Sequence, residues 1–410
     1  MEKLLTEQSS RESLLLPERS RLFYIGLPKT GTTAMQTTAS SKREALLEAG
    51  VRYPGVGMNH RMAIAALMGK RIGWDGAVPP EKHWNSMMSE VEADQSNRVW
   101  ISHEFACEAG DASAERFAGK LGDPVHVVIT LRNYASTLAS VWQQSKKIGN
   151  AQPFDAWLQR VLADSSTGKP SSVPDSIGNQ GGIVERWASM VGKQNVTVIL
   201  VDKSRPKLLG HSFEGLLGLP RDFLSAPTGG FTSNRSMSRP EAELLQRLNT
   251  QVKGKNVSWT DHLNLIQRGA VRSLLTNRVP GEGEDRILVP DWAAEVATAR
   301  GHEVAERIEA SGVRVVGNLE TLHESSPSIQ GSQPVVDSVP IDAAIEAMMG
   351  LFSAALKRDA STPTSPDVKV SDRSLPADRA AANFTTHDLV QALKIRLTHK
   401  AKTGRSKPIS

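Results

Sequence analysis

The chain has 410 residues, of which 39% are hydrophobic and 23% are charged, a composition typical of a globular protein with one sizeable core and a smaller appendage. Its net charge of +5 is a small surplus, and we expect no nucleic-acid partner. The single cysteine, Cys107, excludes an intramolecular disulfide framework and a cysteine zinc cluster, and we expect it to be a small buried residue. A charged N-terminus and the lack of an apolar run of roughly 20 residues predict a cytoplasmic location.

Four short apolar runs predict strands that are buried on both faces, because none of them alternates polar and apolar residues. They cover Leu22 to Ile25, Val99 to Ile101, Val125 to Leu131 and Val196 to Val201. Segments with helical periodicity lie between them: Thr33 to Ala49, Ala112 to Leu121, Tyr134 to Lys147 and Gly182 to Val191. This alternation predicts an α/β fold of three layers, α/β/α, with a central parallel sheet. Ligands of such sheets bind at the carboxyl ends of the strands.

The second half of the chain is predicted to be mostly helical and to pack on the same core. Its candidate helices cover Arg239 to Val252, Trp259 to Asn277 and Asp291 to Ala310, and the apolar run Val313 to Gly317 follows. Past Glu324 the composition changes to Ser, Pro, Gln and Asp, which favours a flexible tail with helical candidates at Ile341 to Leu356 and Thr386 to Lys400. The predicted organisation is a flexible N-terminus (1–20), an α/β domain (21–323) and a low-complexity, partly helical tail (324–410).

The helical candidate from Thr386 to Lys400 combines an apolar stripe with surrounding lysine and arginine residues. The simpler interpretation is a transient helix in a solvated tail. Weak contact of this basic segment with a membrane surface or with another protein is the alternative.

The loop between the first predicted strand and the first predicted helix has the composition of an anion-binding site. It contains Lys29, Thr30 and Gly31, and Thr32 and Thr33 then enter the helical segment. Unpaired N–H groups of a helix start, the positive end of the helix dipole, an ammonium group and two hydroxyls converge there, as phosphate or sulfate requires. In the nucleotide triphosphatase pattern a lysine stands at the position of Thr32, whereas here the nearby lysine lies inside the loop.

A second anion site is predicted where the strand that starts at Val125 ends. This strand ends at Arg132, and the following helix presents Ser140. A guanidinium fork matches a phosphate bidentately, and a hydroxyl adds a neutral donor. Taken alone, Arg132 fits a surface salt bridge and Ser140 fits a bond to its own helix. Together with the Lys29 loop, the pair fits a nucleotide with phosphate groups at both ends of its ribose.

These residues carry a resemblance to the PAPS-dependent sulfotransferases, whose donor is 3′-phosphoadenosine 5′-phosphosulfate (PAPS). Pro28 to Thr33 resembles the 5′-phosphosulfate loop of that family, and Arg132 to Ser140 has the spacing of its 3′-phosphate motif. Trp187 to Leu219 is similar to the stretch that follows, so the resemblance extends from about Arg21 to Leu322. It implies a P-loop-like sulfotransferase fold and transfer of a sulfuryl group to a hydroxyl of a small-molecule, carbohydrate or glycolipid acceptor.

By this resemblance, the backbone amides from Thr30 to Thr33 hold the 5′-phosphosulfate, Lys29 bonds the bridging oxygen, and Arg132 and Ser140 hold the 3′-phosphate. An ammonium group fixed beside the leaving oxygen stabilises the transition state more than the ground state, because charge builds there as the S–O bond breaks. Sulfuryl oxygens carry less charge than phosphoryl oxygens. We therefore expect PAPS as co-substrate and no metal.

Three residues are candidates for the base that takes the proton of the acceptor hydroxyl. His103 and Glu104 follow the strand Val99 to Ile101 and resemble positions where branches of the family carry a histidine or a glutamate. His60 lies between the first helix and the second strand, in a segment expected to line the acceptor pocket. Each of the three also fits a role in ordering its loop through hydrogen bonds.

The chain departs from the family pattern in one segment. The glycine-rich closing motif of the cytosolic steroid and phenol enzymes is missing, and its nearest counterpart is the segment Gly229 to Ser236. This segment would close over the nucleotide through Asn234 or Arg235. No residue stands out as the one that stacks on adenine, and Trp142 is predicted to lie in the core.

Two other functions compete with sulfuryl transfer. In a P-loop kinase, Thr32 or Thr33 would bind magnesium and Asp202 would be a second metal ligand, but the position of the lysine and the Arg132–Ser140 pair argue against it. In a non-catalytic nucleotide-binding protein the two anion sites would be kept without turnover.

Overall fold

Six short strands form a parallel sheet in the order β2-β3-β1-β4-β5-β7. The computed structural model describes residues 14–163, 174–225 and 235–361, with side chains through residue 358. The chain divides into a unit that ends at Asp359 and a second that starts at Ala360, and the fold below is that of the first unit. The strands of the sheet are β1 (Arg21–Tyr24), β2 (Val51–Arg52), β3 (Arg98–Ser102), β4 (Val125–Arg132), β5 (Val196–Val201) and β7 (Arg314–Val316). A separate pair is formed by β6 (Val289–Pro290) and β8 (Ser328–Ile329).

The strands are buried on both faces, as their unbroken apolar sequences predict. On one face, Phe23, Ile101 and Ile129 join a core with Trp84, Phe117 and Trp187. On the other face, Leu22, Tyr24 and Trp100 join a second core with Phe213. Because successive residues of a strand point to opposite faces, each strand stabilises both helical layers at once. The expected three-layer α/β fold with a central parallel sheet is confirmed.

Helices cover both faces of this sheet and continue into a helical region. Those up to β5 are α1 (Thr32–Ser41), α2 (Arg43–Glu48), α3 (Arg61–Met68), α4 (Lys82–Ala93), α5 (Asp111–Leu121), α6 (Tyr134–Lys147), α7 (Phe154–Leu162), α8 (Asp175–Gly178) and α9 (Gln180–Val191). Those after it are α10 (Leu208–Leu217), α11 (Arg239–Lys253), α12 (Trp259–Asp261), a π-helix (His262–Val271), α13 (Arg272–Asn277), α14 (Asp291–Ser311) and α15 (Ile341–Ser361). Short 3₁₀ turns cover Glu104–Glu108, Lys193–Asn195 and Leu319–Leu322.

A third apolar core joins α6 and α7 to the helices of the second half of the chain. Trp142 is buried there beside Phe154, whose ring centroid lies 4.9 Å away. The predicted core position of Trp142 is confirmed, and Cys107 is likewise buried. The third core packs against one face of α6. It therefore fixes the position of the helix that follows Arg132, the arginine predicted to bind the 3′-phosphate.

Residues on both sides of the predicted domain limits take part in packing. N-terminal to Arg21, Leu16 is buried and its amide donates to the Leu216 carbonyl at 3.0 Å. C-terminal to residue 323, the predicted helix at Ile341 is present as α15, and Ala343 is buried. The limits 1–20, 21–323 and 324–410 themselves stay predictions. The helical candidate at 386–400 lies outside the described residues.

Candidate active site

The loop between β1 and α1 is held in a shape that places backbone N–H groups at the helix start. Gly26, Lys29 and Gly31 have positive φ angles of 50°, 70° and 93°. A Cβ atom on Gly26 would lie 2.1 Å from Cγ2 of Thr32, so only glycine fits there. The Thr30 hydroxyl donates to the Leu27 carbonyl at 2.6 Å, which pins the loop from inside.

The N-terminus of α1 has no side-chain cap. Gly31 is the N-cap residue, and the exposed Thr33 follows in the first turn. Within the described parts of the chain, the amides from Thr30 to Thr33 donate to no protein acceptor. At most helix starts, a side-chain oxygen of serine, threonine, asparagine or aspartate at the N-cap position accepts one of these bonds. An anionic ligand can therefore accept these bonds and gain from the helix dipole.

Arg132 lies beside this loop. Its Nη1 donates to the Lys29 carbonyl at 3.0 Å, so the two predicted anion sites meet at the carboxyl ends of β1 and β4. The rest of the guanidinium contacts the first turn of α6, where Nε and Nη2 donate to the Ser136 hydroxyl at 3.2 and 3.0 Å. Ser140 lies one turn further along α6, half-buried, and no hydrogen bond joins it to Arg132. Ser136 was not predicted, although its spacing of four residues from Ser140 puts it on the same helix face.

Three cationic side chains, Lys29, Arg132 and Lys147, lie near one another here. Burial, and next the charge of Arg132, lower the pKa of Lys29. Burial also lowers the pKa of Arg132. At the end of α6, burial and then the charges of Lys29 and Arg235 together lower the pKa of Lys147 to about 8. An anion between these groups would favour their charged forms.

Lys147 is a further candidate that was not predicted from the sequence. It follows Ser140 by seven residues, so both lie on one face of α6 two turns apart. That spacing was the signal that could have found it.

His60 has a protein partner at each of its ring nitrogens. It is buried, its Nδ1 accepts from the Ser102 amide at 2.9 Å, and its Nε2 lies 3.0 Å from the Pro54 carbonyl. Since Nδ1 accepts, the proton lies on Nε2 and is donated to Pro54. Burial lowers the pKa of His60 to about 4, so the ring is neutral at pH 7. Both nitrogens are occupied, and the ring holds the end of β3 in place.

His103 and Glu104 lie at the end of β3, next to β1. Nδ1 of His103 accepts from the Phe105 amide at 3.1 Å, and its Nε2 lies 3.8 Å from Glu104 Oε2. Burial lowers the pKa of His103 to about 4, although the nearby Glu104 carboxylate opposes this shift. The His103 side chain is only 4% exposed, against 30% for Glu104. Of the two, the carboxylate is the more accessible to an acceptor.

Gln36 of α1 connects the Lys29 loop to this carboxylate. Its Nε2 donates to the Ser102 hydroxyl at 3.1 Å and to Glu104 Oε2 at 3.4 Å. Its carbonyl oxygen accepts from Asn59 at 3.0 Å, which fixes the orientation of the amide. The helix that begins at the Lys29 loop thus also positions Glu104.

Arg235 is fully committed to protein partners. Its guanidinium makes two bonds to Glu241, at 2.8 and 2.7 Å, and donates to the carbonyls of Ser236, Leu274 and Arg278. All five of its N–H groups are used, which leaves none for a nucleotide in this arrangement. Asn234, the other residue predicted to close over the nucleotide, lies outside the described residues.

Asp202, the metal ligand of the kinase alternative, is used locally. Its carboxylate accepts from the Ser204 amide at 2.7 Å, from the Ser204 hydroxyl at 2.6 Å and from Arg205 Nε at 3.1 Å. Among the described residues, no group of three or more His, Cys, Asp or Glu side chains is placed to hold a metal ion. Nor does any helix in those ranges have the length and apolar character needed to cross a membrane.

The described chain is an α/β protein with a cationic, glycine-shaped loop at the carboxyl ends of the strands of a parallel sheet. Among solved structures, the chain is similar to a sulfotransferase from Alicyclobacillus acidocaldarius, with 15% sequence identity and a TM-score of 0.41. The match covers 72% of this chain and 96% of that one. No protein-family model matches the chain, and no curated protein does.

Proposed function

We propose that this protein is a sulfotransferase that moves a sulfuryl group from PAPS to a hydroxyl of an acceptor. The hydrogen bond from Arg132 to the Lys29 carbonyl is the observation that supports this most, because it joins residues of the two predicted anion sites. A nucleotide with a 3′-phosphate and a 5′-phosphosulfate needs two such sites about one ribose apart. ATP offers no 3′-phosphate for Arg132, which disfavours the kinase alternative.

In this proposal the amides from Thr30 to Thr33 bind the 5′-phosphosulfate at the start of α1. The 3′-phosphate takes the place of the Ser136 hydroxyl in the fork of Arg132, and the hydroxyls of Ser136 and Ser140 donate to it. These neutral donors add hydrogen bonds without adding charge. Lys29 and Lys147 provide ammonium groups at the leaving oxygen.

Glu104 is the base in our proposal, and His103 is the second candidate. The acceptor oxygen attacks sulfur, its proton passes to the Glu104 carboxylate, and the bond from sulfur to the bridging oxygen breaks. That oxygen leaves on 3′-phosphoadenosine 5′-phosphate with a negative charge that Lys29 stabilises. The products are a sulfate ester and the bisphosphate nucleotide, so no oxidant or further reactant is required.

Arg132→Ala is expected to weaken donor binding far more than it slows turnover. Loss of a charge-assisted fork should raise the dissociation constant for 3′-phosphoadenosine 5′-phosphate roughly 100-fold, or about 3 kcal/mol. Titration calorimetry with this nucleotide and with adenosine 5′-monophosphate measures the effect. The wild-type protein should prefer the bisphosphate, and the variant should lose that preference.

Ser136→Ala is the matched control for Arg132→Ala, because it removes the hydroxyl that accepts hydrogen bonds from the Arg132 guanidinium but removes no charge. It should change nucleotide affinity only a few-fold, by about 1 kcal/mol. An Arg132→Ala protein that still discriminates between the two nucleotides would rule out a 3′-phosphate site at this residue.

Glu104→Gln is expected to lower kcat roughly 100-fold or more, because the amide keeps the size of the side chain but cannot take a proton. His103→Gln should retain more activity, and His60→Gln should reduce stability instead of kcat. Labelled-sulfate transfer to an alcohol panel, measured across pH, gives kcat for each variant. If His103→Gln is inactive while Glu104→Gln is not, the base is the histidine.

A further inference from the structure

Three cationic side chains lie around the end of β3. They are Arg61 at the start of α3, Lys70 just beyond the end of α3, and Arg268 in the π-helix. The guanidinium carbon of Arg61 lies 5.3 Å from the ring centroid of Phe105, and Nζ of Lys70 lies 4.7 Å from the same point. Burial lowers the pKa of Arg61, the Glu104 carboxylate opposes this effect, and Arg268 adds to it.

These three cations form no ion pair with an acidic side chain of the described residues. In the part of the chain that the structure describes, none of them lies within 4.0 Å of a carboxylate oxygen. Arg268 donates to the neutral amide of Asn264 at 3.0 Å. Nε of Arg61 is buried and has no hydrogen-bond partner among these residues. A buried donor without an acceptor costs free energy, which a ligand with a negative oxygen would recover.

The cluster of Arg61, Lys70 and Arg268 lies near the proposed base, since Arg61 and Lys70 contact Phe105, the residue that follows Glu104. The Arg61 amide donates to Asn59 Oδ1 at 3.3 Å, and Asn59 in turn bonds Gln36 at 3.0 Å. Gln36 bonds Glu104. Contact with the face of Phe105 limits the motion of two of the cations, so they are held ready for a ligand.

From this arrangement we propose that the acceptor is an acidic alcohol, a hydroxyl compound that carries a carboxylate bound by Arg61, Lys70 and Arg268. The inference rests on the proposed sulfuryl transfer with Glu104 as base. The planar guanidinium of Arg61 can bind the carboxylate of the acceptor through two parallel hydrogen bonds. The two flanking cations attract an anionic acceptor and offset its repulsion by the Glu104 carboxylate. The donor phosphates have their own cations in Lys29, Arg132 and Lys147.

Matched pairs of acceptors test this proposal with the full-length protein. Phenyl glucuronide is compared with phenyl glucoside, and hydroxybenzoate with hydroxybenzyl alcohol, by transfer of labelled sulfate from PAPS. We expect kcat/KM for the acidic member to exceed that of the neutral member by about tenfold or more in at least one pair. Arg61→Gln should remove this preference by raising KM for the acid, while kcat/KM for the neutral member changes less than about twofold.

Lys120→Ala is the matched control for Lys70→Ala. Lys120 is exposed near the end of α5. It lies close in sequence to the start of β4, and therefore at the amino ends of the strands, away from the proposed site at their carboxyl ends. Lys70→Ala should weaken the preference for the acid, and Lys120→Ala should leave it unchanged. A melting curve of each variant shows whether it is folded, and the charge-removing Arg61→Gln keeps most of the apolar stem in place.

The outcomes separate this inference from the function on which it rests. If acceptors are sulfated but the acidic members are not preferred, or if Arg61→Gln slows both members equally, the acidic-acceptor proposal is wrong and sulfuryl transfer stands. If neither 3′-phosphoadenosine 5′-phosphate nor PAPS binds, the proposed function itself is wrong. Binding of the two glycosides to the nucleotide complex gives the same comparison without turnover.

Discussion

Lys29→Ala is expected to lower kcat for sulfuryl transfer by roughly 1,000-fold while the fold stays intact. In the proposed reaction the Lys29 ammonium meets the charge that develops on the leaving oxygen, so its removal raises the barrier more than it weakens binding. Nζ of Lys29 makes no hydrogen bond to the described residues, and its half-buried charge is destabilised by burial and by Arg132. Its removal should therefore not destabilise the protein.

Single-turnover transfer from labelled PAPS measures this loss, and thermal unfolding measures the fold. Lys29→Arg keeps the charge and should recover part of the rate, whereas Lys120→Ala should behave as the wild type. A Lys29→Ala protein with wild-type turnover would show that the leaving oxygen is stabilised elsewhere, with Lys147 the next residue to replace.

Arg278→Ala is expected to lower the free energy of unfolding by about 3–5 kcal/mol. The Arg278 side chain is only 3% exposed and forms ion pairs with Glu241, Glu284 and Asp342. Glu241 is fully buried, so removal of the arginine leaves a buried carboxylate with one cation, Arg235, in place of two. The same network ties α11, α13 and α15 together.

Urea unfolding of Arg278→Ala beside Arg307→Ala gives a matched comparison. Arg307 pairs with Glu185, and the two side chains are 31% and 45% exposed. Because water solvates both groups when the pair is lost, Arg307→Ala should cost about 1 kcal/mol or less. Equal losses in the two variants would show that the buried network contributes no more than a surface pair.

The predicted strands and most helices could be read from the sequence because their signals are local. The run Val125 to Leu131 is apolar without interruption, and only a strand covered on both faces accounts for that pattern in so short a segment. The loop that holds Lys29 was also visible, since a glycine with positive φ before a helix start is a short-range feature. Strand β2 was not predicted, because it has only two residues and depends on its pairing with β3. The break between α1 and α2 at Lys42 was not predicted either, because it depends on packing.

Residue types and local spacing are enough to identify which residues of the candidate site could bind an anion, whereas their partners and exposure depend on the folded chain. The hydrogen bond from Arg132 to the Lys29 carbonyl joins residues that are 103 positions apart in the chain, and no local sequence pattern predicts such a contact. Local reasoning could not separate His60 from Glu104, since burial and the partners of each nitrogen depend on the folded neighbourhood. Arg235 is a second example. Its charge and position in the sequence suggested a contact with the nucleotide, whereas in the folded chain its guanidinium forms an ion pair with Glu241. Residue type and spacing define what a side chain can do, whereas its solvent exposure and partners, which decide its pKa and its role, exist only once distant segments pack together.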